Sequence, residues 1–227
     1  MVDLLEGMAT TRAIRRYTDA PVTDGQLQQV LFAATRAPSG SNRQPVRFVV
    51  FRDSPVAREA KQLIAGAAQA FWADKRRADG YDRGSGVDAD SPKARMARTM
   101  EAFVENFARV PAVVLPCFVR YRPPWSGEGA SVYPACQNLL LGARAVGLGG
   151  VLTHWHEPVA PALAELLRLP EDAVIAATIT LGHPAGSHGP VRRRPLAEAV
   201  FEDRWESSPP WAVDPPGTRF TGVGPPR

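Results

Sequence analysis

The chain has 227 residues, of which 44% are hydrophobic and 22% charged. A polymer of this size buries on the order of 70% of its unfolded surface, so disorder as the whole answer is excluded. Its two cysteines, Cys117 and Cys136, exclude a disulfide scaffold and a multi-cysteine metal cluster. The net charge of +4 comes from 27 basic and 23 acidic residues, a mild excess that suits solubility or a phosphate-bearing ligand.

No apolar run approaches the roughly 20 residues that span a bilayer. Asp3 and Glu6 near the start, without a basic n-region, argue against a secretory signal, so a reducing cytoplasm is the expected compartment. Residues 3–10 read as a short helix and 11–21 as a basic connector. Thr23-Asp24-Gly25-Gln26 has the form of a capping box and opens a helix carrying Leu27, Val30, Leu31 and Ala34. Ala37-Pro38-Ser39-Gly40-Ser41-Asn42 ends it in a loop.

A buried strand is expected over 47–52, around Phe48-Val49-Val50-Phe51. A helix follows over 56–77, then a glycine-bearing mobile loop over 78–90. Ser91-Pro92 starts a helix running to about Arg109. Residues 111–121 form a second buried strand, and 131–146 a helix apolar nearly all round, closed by Gly147. A short strand at 149–153, a helix at 158–168 and one strand over 173–181 complete the pattern. The proline-rich tail suits neither a helix nor a central strand, and Trp211 and Phe220 favour docking of its first part. The expectation is an α+β domain over 1–206, with about four or five strands, followed by a tail over 207–227.

Two arginine groups, Arg12/Arg15/Arg16 and Arg192/Arg193/Arg194, stand almost at opposite ends of the chain. Several guanidinium forks with backbone N–H groups are what a phosphate dianion needs; solvated surface runs would look the same by charge alone. The Pro38–Pro45 loop offers hydroxyls, an amide and free N–H groups after a helix, or is an ordinary helix-ending turn. Gly147-Leu148-Gly149-Gly150-Val151-Leu152-Thr153-His154 suggests close backbone approach to something flat or phosphorylated. Its glycine spacing is not that of a dinucleotide fingerprint. His154, His156 and Glu157 lack a further pair with metal-ligand spacing, no Gly-x-Ser-x-Gly elbow occurs, and both cysteines read as inert core thiols. No nucleic-acid-binding motif or aromatic-laced basic stripe is present.

In order, these segments resemble the FMN-dependent nitroreductase family, from Thr11 to Trp205. Thr11-Arg12-Ala13-Ile14-Arg15-Arg16-Tyr17 is similar to the family's Arg-Arg-Ser-x-Arg-x-Phe, and Pro38 to Val46 to its Pro-Ser-x-x-Asn-x-Gln-Pro-Trp loop. Gly147 to His154 stands where the family has a Gly-Leu-Gly turn. Gly182-His183-Pro184, the Arg192–Arg194 cluster and Pro195-Leu196 match its closing segment. Thr11, Ala13 and Val46 depart from the commoner arginine, serine and tryptophan.

The resemblance implies a nitroreductase-like fold with a mostly antiparallel sheet. It also implies a homodimer holding FMN at its interface, with the tail exchanged onto the partner. By position, Arg12, Arg15 and one or two of Arg192, Arg193 and Arg194 would hold the phosphate, with Ala13 among the cofactor contacts. Pro38, Ser39, Gly40, Asn42 and Gln44 would contact flavin and ribityl chain, partly from the partner subunit. Leu152, Thr153 and His154 would follow the ring edge, with Thr153 tuning N5. Phe71, Trp72, Tyr81 and Trp125 would form a substrate lid.

The implied activity is NADH- or NADPH-driven, ping-pong reduction of nitroaromatic, quinone or similar acceptors through flavin N5. No metal, nucleic acid or membrane is implied. Reductive dehalogenation, ene reduction, dimethylbenzimidazole-synthase-like chemistry and non-catalytic flavin binding remain open alternatives.

Overall fold

The computed structural model describes residues 2–220. Side chains at the entrances fix where its helices begin. Asp3 accepts from the Leu5 and Glu6 amides at the start of α1 (Leu4–Thr10). Thr23 and Gln26 cap each other at the start of α2 (Asp24–Thr35), so the capping box is real. Ser54 with Pro55 opens α3 (Pro55–Ala78), and Ser91 with Pro92 opens α4 (Pro92–Glu105). Each such cap satisfies an N–H that the helix leaves unpaired, worth about 1 kcal/mol. α4 is shorter than the sequence pattern suggests: it stops at Glu105, and Phe107–Arg109 form a separate 3-10 turn.

The sheet comprises β1 (Val46–Phe51), β2 (Ala112–Val119), β3 (Gly149–Thr153), β4 (Ala173–Ile175) and β5 (Thr178–Gly182). Its order is β1-β2-β5-β3, with β4 also paired to β2, and every pairing is antiparallel. β2 is buried along nearly its whole length. Val113, Leu115 and Cys117 face a core with α3, α4 and α6 (Ala160–Leu167), while Ala112, Val114 and Phe118 face a core with α2 and α5 (Gly129–Ala145). Its unbroken apolar run is therefore a strand buried on both faces. A Cβ at Gly142 would lie 3.0 Å from that of Ala33, which lets α2 lie close against α5.

The strand expected over 173–181 is two strands. Val114 pairs with Ile179 and Cys117 with Ile175. Two residues on β2 thus face three on the opposite chain, a bulge at Ala176-Ala177. The site of the bulge follows from Pro116, which has no N–H to offer the ladder; the Ala176 amide donates to the Pro116 carbonyl at 2.8 Å.

Beyond β5 the chain has little regular structure. The Leu196 amide donates to Asp214 Oδ2 at 2.9 Å, and the Arg193 amide to the Arg219 carbonyl at 3.4 Å. The tail up to Phe220 therefore turns back on its own residues 193–196. Ala212 is buried there while Trp211 is 63% exposed, so the tail docks through its backbone and Ala212 and not through the Trp211 ring. Pro225 and Pro226 lie outside the described residues. No helix among the described residues is long and apolar enough to cross a membrane.

Candidate functional site

An irregular antiparallel ladder joins the two ends of the chain. Thr18 N donates to His183 O at 2.9 Å, Ala185 N to Arg16 O at 3.0 Å, Gly189 N to Thr10 O at 3.1 Å and Val191 N to Ala9 O at 3.0 Å. Between these, Arg12 N donates to the ring Nδ1 of His188 at 3.3 Å. The ladder lies against the sheet because Ile14 N donates to Gly150 O at 3.0 Å, and because the Tyr17 hydroxyl meets both Ile14 O and Thr180 Oγ1 at 2.7 Å. Residues 9–18 and 183–191 thus run side by side in opposite directions, with Arg12 to Arg16 opposite 185–188; Val191 is opposite Ala9, and Arg192, Arg193 and Arg194 follow it as exposed residues.

A cleft of about 410 Å³ opens there, lined by Arg12 to Arg16, by Met96 and Thr99 of α4, and by Gly186 and Ser187. A methyl added at Gly189 would lie 3.7 Å from Arg12 Nη1, and one at Gly186 3.7 Å from Arg16 Nη2. Arg15 is half-buried. Burial pushes its guanidinium below its ordinary value, with Tyr17 and Tyr81 acting the other way. No carboxylate pairs with it among the described residues. A partly desolvated cation without a counter-ion is unfavourable by itself and favours an anion beside it. Arg194 is loosely engaged, with Nη1 4.0 Å from Glu198 Oε2.

The edge strand β3 leads away from this cleft. Its five residues span about 13 Å at the usual rise. Gly149 and Gly150 serve a different purpose from the one the sequence suggests. A Cβ at Gly149 would meet Ile14 at 2.5 Å, and one at Gly150 the Thr180 carbonyl at 2.3 Å. Both are buried glycines demanded by the chain's own packing, not by approach to a ligand. Gly147, at φ +80°, closes α5 as expected.

At the far end of β3 a cleft of about 330 Å³ is lined by Ala67, Phe71, Thr153, His154, Trp155, Glu157 and Pro158. Leu152 is half-buried just before it. The Thr153 hydroxyl reaches Thr178 O only at 3.4 Å. His154 is exposed, with Nε2 3.2 Å from the Tyr133 hydroxyl. Tyr133 was missed by the sequence reading, because nothing in its neighbourhood marks it apart from other α5 residues. His156 is buried, its ring nitrogens meeting Thr178 Oγ1 at 3.1 Å and Ile175 O at 3.0 Å. Burial lowers its pKa, so it is a core residue.

The loop after α2 is strained. Ser41, Asn42 and Gln44 hold φ values of 52°, 52° and 50°, a region that costs a non-glycine residue about 1 kcal/mol or more. Gln44 N donates to Ser39 Oγ at 2.9 Å, Gly40 N to Ser131 Oγ at 3.1 Å, and Gln44 Nε2 to Asn42 Oδ1 at 3.1 Å. Pro38, Ser39 and Gln44 roof a hollow of about 220 Å³ over Phe48 and Ala135. In the register of the sheet, Val46 is level with Phe118 at the end of β2, whereas Tyr17 bridges Pro184 just past β5. Within one chain this loop and the arginines sit at opposite ends of the sheet.

The aromatic residues divide. Phe71 is 50% exposed and lines the cleft beside Thr153. Trp72, its neighbour on α3, is 4% exposed and packs on Tyr81 with ring centroids 5.1 Å apart. Trp72 therefore belongs to the core, not to an open lid surface, and Tyr81 pins the 78–90 loop to it. Trp125 lies under the Arg122 guanidinium, 3.8 Å from ring centroid to Cζ. It follows β2, at the same sheet end as the strained loop, where Arg43 covers Tyr121 at 4.4 Å. Cys117 and Cys136 are buried, and burial pushes both thiols up to about 11, as befits inert core groups.

The α+β scaffold thus carries a cleft lined by Arg12, Arg15 and Arg16 at one end of β3 and a cleft beside Phe71 and Thr153 at the other. The chain belongs to the nitroreductase family, whose model matches residues 8–183. It is 34% identical to an NADH dehydrogenase of Thermus thermophilus over 84% of this chain and 91% of that one. It is 28% identical to an NADPH-flavin oxidoreductase of Vibrio harveyi over 91% of this chain and 76% of the relative. Among solved structures, a Desulfovibrio desulfuricans protein assigned to the nitroreductases and solved in complex with FMN superimposes with a TM-score of 0.62. Its identity is 28%, covering 88% of this chain and 96% of that one.

Proposed function

We propose that this chain is an FMN-dependent NAD(P)H oxidoreductase, acting in the cytoplasm, whose acceptors are nitroaromatics, quinones or similar electron-poor rings. The observation that carries the reading is the half-buried Arg15 guanidinium without a counter-ion, set in one cleft with Arg12, Arg16, Gly186 and Ser187. These groups fit a phosphate dianion: each fixed charge pair at ~4 Å is worth roughly 4 kcal/mol at an effective dielectric near 20, before desolvation. Ala13 lines the same cleft and offers its backbone. Leu152, Thr153 and His154 at the far end of β3 suit a ring held at its edge, and Phe71 suits stacking on one face.

Bound FMN would supply the two-electron redox chemistry that no side chain offers. The chain's own residues bind and orient. Arg12 and Arg15 would hold the phosphate, Thr153 would offer its weakly engaged hydroxyl to the ring edge, and Phe71 would cover one side of the ring. No protein acid or base is required for such turnover.

Pro38, Ser39, Gly40, Asn42 and Gln44 lie across the length of the sheet from the arginines, which supports a site completed by the loop of a second subunit. Homodimer formation is therefore part of the proposal, and the exposed Tyr133 face of α5 and the Trp125 loop are its natural neighbours. Packing of the tail against the partner is proposed with it, with the tail up to Phe220 still folded on its own residues 193–196. Truncation after Ser207 is expected to weaken the dimer in sedimentation equilibrium; an unchanged, equally stable dimer would remove the tail from the interface.

The test is direct. The purified protein should be yellow, release FMN on acid treatment, and oxidise NADPH or NADH when a quinone or nitroaromatic is supplied. A colourless protein that takes up no FMN on reconstitution overturns the reading.

A further inference from the structure

His188 stands where a backbone carbonyl would continue the ladder. Its Nδ1 accepts the Arg12 amide at 3.3 Å, and Nε2 lies 3.4 Å from the Leu148 carbonyl. These two partners fix the proton. A nitrogen that accepts an N–H cannot carry a hydrogen, and one facing a carbonyl must, so the ring is neutral with the proton on Nε2. The residue is 176 positions from Arg12 in sequence, and it is the one side chain in an otherwise backbone-to-backbone set.

Its surroundings are cationic. Arg144, at the last turn of α5, and Arg12 are the charged groups that face it, and both disfavour a second positive charge there. Arg144 Nε and Thr11 Oγ1 are buried without hydrogen-bond partners, and among the described residues no carboxylate acts on the His188 ring. Burial and these guanidinium groups keep His188 below its ordinary pKa.

We propose that His188 is a positioning residue for cofactor retention: its neutral ring locks the Arg12 turn that presents guanidinium groups to the FMN phosphate, and protonation of the ring loosens that grip. The inference rests on the flavin reading above. Protonation puts a hydrogen on Nδ1 opposite the Arg12 N–H, donor against donor, and adds a charge that Arg144 and Arg12 both repel. The turn must then shift or the amide go unpaired. His188 touches neither reacting atoms nor phosphate in this account; it acts through Arg12.

The test measures the FMN dissociation constant by quenching of flavin fluorescence at pH 8 and pH 5, in full-length wild type, His188→Asn and His188→Leu. The FMN phosphate itself gains a proton in this window, its second pKa being about 6, so every protein shares that loss. His188→Asn keeps an acceptor and a donor without titrating. The expectation is that wild type weakens between pH 8 and pH 5 by about twofold or more beyond the loss seen in His188→Asn. At pH 8, His188→Asn should bind like wild type, whereas His188→Leu should bind about tenfold more weakly. Equal pH ratios in wild type and His188→Asn overturn the proposal, even if His188→Leu fails to fold. So does a His188→Leu protein that binds FMN as tightly as wild type at pH 8. FMN binding retained with either result leaves the flavin reading standing, whereas no binding by any protein at either pH overturns both.

Discussion

The two ends of the sheet are built on different principles. At the arginine end, backbone N–H and C=O groups of residues 9–18 and 183–191 satisfy one another, Tyr17 clamps them to Thr180, and no residue in these two segments has a positive φ. At the other end, the 39–44 loop holds three non-glycine residues in the left-handed region and is kept there by side chains. The arginine end can lose a guanidinium without losing its shape. The loop stores strain, so a lost side-chain bond there should change its shape, as strained functional segments do.

The largest expected effect follows from that rigidity. Arg12→Ala with Arg15→Ala should weaken FMN binding by about 1,000-fold, since each charge-assisted bond is worth roughly 1.5–3 kcal/mol. Fluorescence titration gives this value, and the thermal midpoint of the apoprotein should stay within a few degrees of wild type. A collapse of the apoprotein instead would mean that the guanidinium groups hold the ladder together.

Tyr17→Phe is expected to cost about 1–2 kcal/mol in urea unfolding, because it leaves Ile14 O and Thr180 Oγ1 without their shared partner. An unchanged midpoint would show that the clamp is redundant with the backbone ladder. Ser39→Ala should cost about 1 kcal/mol by releasing the Gln44 amide, and should lower turnover in proportion more than stability. If turnover is untouched, the strained loop is not part of the site in either subunit.

The smallest effect is the pH dependence of the apoprotein. His156 and His188 both sit below their ordinary pKa in the fold. Above the unfolded value of about 6.5 both states are neutral and the full stability is present. As pH falls below that value the unfolded chain takes up protons first, so stability declines until the folded rings titrate as well. Unfolding free energy should therefore drop between pH 7.5 and pH 5. His156→Gln should flatten part of that slope; a wild-type curve with no slope there would contradict the buried, neutral assignment.

Much of the scaffold could be read from local chemistry. Thr23 with Gln26, and Ser91 with Pro92, mark helix starts because caps act over three residues. β2 stands out because a strand buried on both faces is apolar throughout. The break between β4 and β5 was invisible, since it depends on which residue of the opposite strand is Pro116. Gly149 and Gly150 were recognised as special for the wrong reason: their crowding by Ile14 and the Thr180 carbonyl exists only after folding.

Phe71 and Trp72 are equivalent on composition, and only the helix face separates a cleft wall from a core ring. The arginine groups were found from charge and order along the chain. His188, which holds the Arg12 amide, carried no local signal, because its partner is on the far side of the sequence.

The central claim is that guanidinium groups from the two ends of the chain meet around one phosphate. The most direct measurement is the FMN-to-chain ratio of freshly purified protein, taken for wild type and for the Arg15→Ala, Arg194→Ala variant in parallel. The account predicts a ratio near one for wild type and near zero for the variant, with both equally folded. A variant that keeps stoichiometric FMN would contradict it.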